Sequence, residues 1–190
     1  SYRNVLRKGA NNYLQAVRSP GSTLKPLIYG MALERGLLKP NSIMLDTAIQ
    51  VDGYAPTNFD DSFHGKVRLK DALIRSLNIP AINTLERIGT ERVIATISQY
   101  LVLPSSQVND PGLSLAVGGL YLTPEQLAQI YLGLTEQPSA NLSFITTENA
   151  EYRTALLTKW SSDQLLSLLS QVDLGGARYI VKTGTSNGRR

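Results

Sequence analysis

Pro26 limits the folding of this chain more than any other residue. It closes the string Pro20-Gly21-Ser22-Thr23-Leu24-Lys25-Pro26. Proline inside a helix has no N–H to donate and clashes with the carbonyl four residues back, here that of Ser22. It is tolerated only in the first turn. Leu24, Leu27, Ile28 and Met31 recur at i, i+3, i+4 and i+7, which predicts an amphipathic helix running to about Leu38. Together these constraints start the helix at about Ser22. The first N–H groups there are free, and the helix dipole favours negative charge.

Ser22 and Lys25 stand at i and i+3 and share a helix face. A lysine can take the hydroxyl proton of a serine if burial or a cationic neighbour lowers its pKa. A nucleophile at a helix N-terminus also gains oxyanion stabilisation from its own N–H. The apolar stripe lies opposite Ser22, Lys25 and Tyr29, so the pair is expected to face a cleft. The plain alternative is a helix-capping Ser followed by a surface Lys. With 17 Ser and 7 Lys, about 0.6 Ser-x-x-Lys matches arise by chance.

Two further strings carry chemistry. Ser76-Leu77-Asn78 sits between two predicted helices. Roughly one Ser-x-Asn is expected by chance, and Ser139-Ala140-Asn141 is a second match. Alone, Ser76 and Asn78 read as loop and capping residues. Lys182-Thr183-Gly184-Thr185 is more informative, because Lys-Thr-Gly is expected only about 0.04 times. Its chemistry suits an anion: Lys brings charge, the Thr hydroxyls donate, and Gly lets a ligand approach the backbone.

The rest of the chain reads as short helices. They are expected at 67–76, from Pro80 to Ile88 before Gly89, and at 91–101 capped by Thr90. Thr123-Pro124-Glu125 is a helix start running to about Glu136. Thr147 and Ser162 are candidate caps for helices at 148–159 and 163–171. Tyr179, Ile180 and Val181 follow a Gly175-Gly176 turn and predict a strand from Ala177 to Thr185. Segments 40–65 and 104–121 read as loops, and 137–143 is the most linker-like stretch.

Composition removes several chemistries. The chain has no Cys and one His. That excludes a disulfide scaffold, a Cys nucleophile, a zinc–thiolate site and a multi-histidine metal site. No run of about 18 apolar residues exists to span a membrane. Formal net charge is +4, yet no run of five basic residues or basic–aromatic stripe appears, so nucleic acid is not an expected partner. His64 reads as a loop residue, Asp60 and Asp61 as turn formers, and Trp160 and the tyrosines as packing side chains.

The three strings in this order have a joint chance expectation of roughly 0.02. They are the Ser-x-x-Lys, Ser-x-Asn and Lys-Thr-Gly set of penicillin-binding proteins and serine β-lactamases. The chain resembles the transpeptidase domain of class A penicillin-binding proteins, most nearly the penicillin-binding protein 1C branch. Asn58-Phe59-Asp60, Phe63-His64-Gly65, Ala72 to Ala81, Val117-Gly118-Gly119 and Leu122-Thr123-Pro124 add to the likeness. The resemblance implies a helix-rich α+β fold around a five-stranded antiparallel sheet. This chain reads as a single, truncated domain over 1–190 that lacks the last strands. The strand carrying Lys182 would then lose its usual neighbour, leaving unpaired N–H and C=O groups along an edge.

The resemblance also implies roles. Ser22 would attack the D-Ala-D-Ala amide of a peptidoglycan stem peptide, with Lys25 as the candidate base. Ser76 and Asn78 would serve the leaving amine and the substrate amide. Lys182, Thr183, Gly184 and Thr185 would bind substrate, and the N–H groups of Ser22 and Thr185 would form the oxyanion hole. β-Lactams would acylate Ser22. No metal or organic cofactor is implied. The parent would be membrane-anchored on the periplasmic face of the bacterial inner membrane, with other cell-wall synthesis proteins as partners. The alternatives are a β-lactam sensor or inactive scaffold, and a serine β-lactamase. Against the lactamase, no Glu-x-x-Leu-Asn string lies between Asn78 and Lys182.

Overall fold

A computed structural model of the chain describes residues 13–51, 53, 55–101, 103–104, 111–135 and 155–185. The Ser139-Ala140-Asn141 string, the 137–143 stretch, Thr147 and most of the helix expected at 148–159 lie outside the described residues.

A 3-10 turn over Gly21–Leu24 leads into α1, Lys25–Glu34. Pro26 occupies the first turn of α1, as its missing N–H requires. The Ser22 carbonyl, which Pro26 cannot serve, accepts instead from the Lys25 N–H. The regular helix therefore starts at Lys25, three residues later than expected. It also ends earlier. Leu37 N–H donates to Ala32 O and Gly36 N–H to Leu33 O, with Gly36 at φ 67°. This is a Schellman stop, which wants a left-handed residue at the Gly36 position.

α1 is not two-faced. Every residue from Lys25 to Leu33 is buried, so the helix is the axis of the core rather than one wall of a cleft. It packs against α3 (Asn78–Ile88) and α6 (Lys159–Leu168). A Cβ on Gly30 would come within 2.6 Å of Leu157 Cδ1, so the approach of the 155–158 segment depends on that glycine.

The segments expected as loop or helix at 40–76 hold a strand pair. β1 (Ile43–Asp46) pairs antiparallel with β2 (Gly65–Arg68), Met44 opposite Val67 and Asp46 opposite Gly65. Met44, Asp46 and Val67 point inward while their neighbours are at least partly exposed. The Lys66-Val67-Arg68 alternation is thus a strand period, and α2 is shorter than expected, Leu69–Ile74. α4 spans Thr90–Tyr100, with Gly89 rather than Thr90 at its N-cap. A 3-10 turn, Gly112–Val117, occupies part of the second expected loop.

α5 (Pro124–Gly133) opens with the expected cap. Thr123 Oγ1 accepts from Gln126 N–H, and Gln126 Oε1 accepts from Thr123 N–H, a reciprocal capping box. α6 starts at Lys159 rather than at 163, because Thr158 and not Ser162 is the cap. Thr158 also donates from its N–H and Oγ1 to Glu34 Oε2 at 3.1 and 2.7 Å, tying α6 to the end of α1.

β3 (Ser170–Leu174) and β4 (Ala177–Val181) form an antiparallel hairpin across Gly175-Gly176. The start of β3 was expected as helix. β4 ends at Val181, so Lys182–Thr185 lie beyond the strand rather than in it. Its neighbour is β3 along its whole length. Residues 13–18 give a short 3-10 turn and one bridge, Arg18 to Leu122. The fold is helix-rich α+β. Its described sheets are two separate strand pairs. Trp160 is 53% exposed, so it is not the packing residue expected. Among the tyrosines, Tyr29 is fully buried while Tyr13, Tyr121 and Tyr179 are exposed. Among the described residues, no helix is long and apolar enough to cross a membrane.

Candidate active site

The turn bearing Ser22 is held from several sides. Thr23 donates from its N–H and Oγ1 to Pro20 O. Ser19 Oγ donates to Gly118 O at 2.8 Å and accepts from Gly21 N–H. Tyr131 Oη, on α5, donates to Thr23 O at 2.9 Å. The Lys182–Thr185 segment lies directly on this turn. A Cβ on Gly184 would sit 2.6 Å from Pro20 O and Thr23 Cγ2, and one on Gly21 would collide with Thr185 O. Glycine at 21 and 184 therefore lets the first and third strings touch. Ser22 is half-buried, and its hydroxyl makes no hydrogen bond among the described residues.

Ser76 reaches the same place from the end of α2. Leu77 N–H donates to Ala72 O and Ser76 N–H to Leu73 O. This repeats the Schellman stop of α1, but the left-handed position holds a serine, at φ 59°. A Cβ in that conformation costs roughly 1–2 kcal/mol. Strain of this kind persists where neighbouring contacts hold the residue, and it clusters at functional sites.

Lys25 supplies one such contact. Its Nζ donates to Ser76 O at 2.6 Å and to Asn78 Oδ1 at 2.7 Å. Lys182 supplies another, its Nζ donating to Ser76 Oγ at 2.8 Å and to Thr183 O at 2.7 Å. Ser76 thus has one lysine on its carbonyl and another on its hydroxyl. Burial lowers the Lys25 pKa to about 7, helped by the charge of Lys182. Burial also lowers Lys182, to about 8. A neutral amine has two N–H groups and one lone pair. Two acceptors already occupy Lys25, so its neutral form keeps the lone pair free to take a proton.

Lys25 Nζ does not hydrogen-bond the Ser22 hydroxyl; its described partners lie at 76 and 78. Lys25 is completely buried, while Thr183, Gly184 and Thr185 are exposed. The fold thus brings Ser22, Lys25, Ser76, Asn78 and 182–185 into one contiguous constellation.

Residues 1–189 match the family model for the penicillin binding protein transpeptidase domain. The chain belongs to the penicillin-binding protein transpeptidase family. It is 39% identical to penicillin-binding protein 1C of Escherichia coli (strain K12) over 70% of this chain and 18% of that protein. It is 41% identical to penicillin-binding protein 1F of Bacillus subtilis (strain 168), over 66% of this chain and 17% of that protein. Penicillin-binding protein 4 of the same organism is 29% identical over 97% of this chain and 33% of that protein. The chain spans a third or less of the length of these relatives.

In this penicillin-binding protein transpeptidase domain, a polar network with Asp46 and Asn58 buried at its centre also stands behind Asn78. Asn58 Oδ1 accepts from Asn78 N–H at 2.7 Å, and Asn78 Nδ2 donates to Thr57 O at 2.7 Å. Asn58 Nδ2 donates to both Asp46 carboxylate oxygens and to Ser62 O. His64 holds Asp46 Oδ2 through its N–H at 2.9 Å and Nδ1 at 2.8 Å. Its Nε2 lies 3.2 Å from Asp60 Oδ2. The turn reading of Asp60-Asp61 fits, since Asp61 N–H donates to Asn58 O. Sequence reasoning noticed Asn58 only as part of a family string and passed over Asp46, Thr57 and Tyr131. Among the described residues, no three His, Cys, Asp or Glu side chains group to hold a metal.

Proposed function

We propose that this chain is the acyl-transfer core of a peptidoglycan D,D-transpeptidase that β-lactams acylate, within an extracytoplasmic, membrane-anchored parent. The observation that carries the reading is Lys25, buried, lowered to a pKa of about 7, and holding Ser76 and Asn78 together.

Ser22 Oγ attacks the carbonyl between the two D-Ala residues, and its proton passes to the Lys25 lone pair. The N–H groups of Ser22 and Thr185 stabilise the oxyanion. The Ser76 hydroxyl, polarised by Lys182, passes its proton to the departing D-Ala amine and takes back the one held on Lys25, which leaves Lys25 neutral again. The C–N bond breaks and leaves an ester on Ser22. The terminal carboxylate of the donor rests on Thr183 and Thr185. An amine from a second stem peptide then attacks the ester. Its proton returns to Ser22, and the cross-link is complete. A β-lactam opens on the same Ser22 and has no departing amine to make room for an acceptor.

Incubation with a fluorescent penicillin tests this. Covalent label that disappears in Ser22→Ala and releases slowly is the expected result. Absence of Ser22-dependent label sinks the acyl-transfer reading, and rapid release points to a lactamase.

A further inference from the structure

We propose that Asn58 is a positioning residue for the acyl-transfer centre: anchored by Asp46, it fixes Asn78 so that the Asn78 side-chain oxygen faces Lys25. This rests on the transpeptidase reading above. Asn58 is 3% exposed and Asp46 fully buried. A carboxylate only accepts hydrogen bonds, so the Asn58 NH2 must face Asp46. Its oxygen must then face the Asn78 N–H, at 2.7 Å. Turned the other way, Asn58 would aim oxygen at the Asp46 carboxylate and at Ser62 O, and N–H at N–H. A buried mismatch of that kind is strongly disfavoured.

The constraint passes on. Thr57 O accepts from Asn78 Nδ2, so segment 57–58 grips Asn78 at its backbone and its side chain. Asn78 Oδ1 is left toward Lys25 Nζ. α3 has no capping side chain of its own at Leu77. Asn58, twenty residues earlier, takes that role. His64 closes the outer end by bonding Asp46 twice.

A cap alone would affect stability. A positioning role also affects the proton on Lys25. The Asn78 oxygen favours the ammonium form, so releasing Asn78 lowers the pH at which Lys25 loses its proton. Lys182 acts on Lys25, and Tyr29, one turn further along α1, feels Asp46. Asn58→Ala alters none of these charges.

The test titrates Lys25 through its 13Cε shift in the 190-residue chain, with fluorescent-penicillin labelling alongside. In Asn58→Ala the Lys25 midpoint should fall by roughly half a pH unit or more. Labelling at pH 8 should slow by about tenfold. Asp46→Asn should act in the same direction, since an amide at 46 no longer dictates which way Asn58 faces. A folded Asn58→Ala with an unmoved midpoint and labelling rate overturns the proposal, leaving only a helix cap. In the unmodified chain, a scalar coupling across the hydrogen bond from Asn78 15N to Asn58 13Cγ is expected. Its absence overturns the proposal even if neither variant folds. Failure of the unmodified chain to label sinks the transpeptidase reading, while the titration and coupling still judge Asn58.

Discussion

Lys182 Nζ donates to Ser76 Oγ at 2.8 Å across 106 residues of chain. Their bond joins the end of the β3–β4 hairpin to the end of α2. It also keeps a second positive charge beside Lys25.

Replacing Lys182 by Met should therefore do two separable things. Penicillin labelling should slow by about a hundredfold, because the Ser76 hydroxyl loses its polarising donor. The Lys25 midpoint should rise, because a like charge has gone. Stopped-flow labelling and a lysine titration would read the two effects independently. A slower rate with no rise in midpoint would remove the electrostatic link between the lysines.

Stability should increase with pH above neutrality. Lys25 titrates at about 7 when folded and near 10.5 when unfolded. Between those values the unfolded chain binds more protons, so its relative free energy rises with pH. The penalty is fully present below pH 7, on the order of 5 kcal/mol at most, and is gone near pH 10.5. Denaturant unfolding at pH 6 and pH 9 should show the gain. Lys25→Met should flatten most of it, with Lys182 supplying the remainder.

Gly184→Ala should separate the first and third strings. The added Cβ would meet Pro20 O and Thr23 Cγ2, and one of those neighbours must shift. Overpacking of this kind costs about 1–3 kcal/mol. Labelling should fall more than thermal stability, since the 182–185 segment is exposed and can yield without unfolding the core. A variant with normal labelling would mean that the contact with the turn is dispensable.

Ser76 invites a matched pair. Ser76→Ala and Ser76→Gly both remove the hydroxyl and should both label poorly. Only glycine relieves the left-handed backbone at φ 59°. Ser76→Gly should therefore be more stable than Ser76→Ala by about 1 kcal/mol. Equal melting temperatures would refute the strain argument.

What the sequence made readable was largely local. Thr123-Pro124-Glu125 announced α5 because a cap, a proline and an acid act within one turn. Gly89, at φ 91°, ended α3 for the same reason. The strand pair at 43–46 and 65–68 was hidden. Each strand is four residues long, and its partner lies some twenty residues away. Val67 was drawn into the following helix, although its alternation with Lys66 and Arg68 carried the strand signal. α6 was displaced because Thr158 gains much of its hold from Glu34, a contact spanning 124 residues.

The site divides in the same way. Its strings were visible as strings, and their rarity was enough to single them out. What Lys25 touches was not visible. The i, i+3 spacing suggested Ser22, while the fold gives Lys25 the carbonyl of Ser76 and the amide of Asn78. Asp46 left no trace at all, since nothing about an acid at the end of a short strand says it will be completely buried.

α1 is enclosed on every side from Lys25 to Leu33, whereas Thr183–Thr185 are open to solvent. On the acyl-transfer reading proposed above, this asymmetry bears on how the protein can change under β-lactam pressure. Side-chain changes within α1 are filtered by packing before they can be tested for drug response. Substitutions that blunt inhibition while sparing the fold should accumulate on the exposed rim, around 183 and 185.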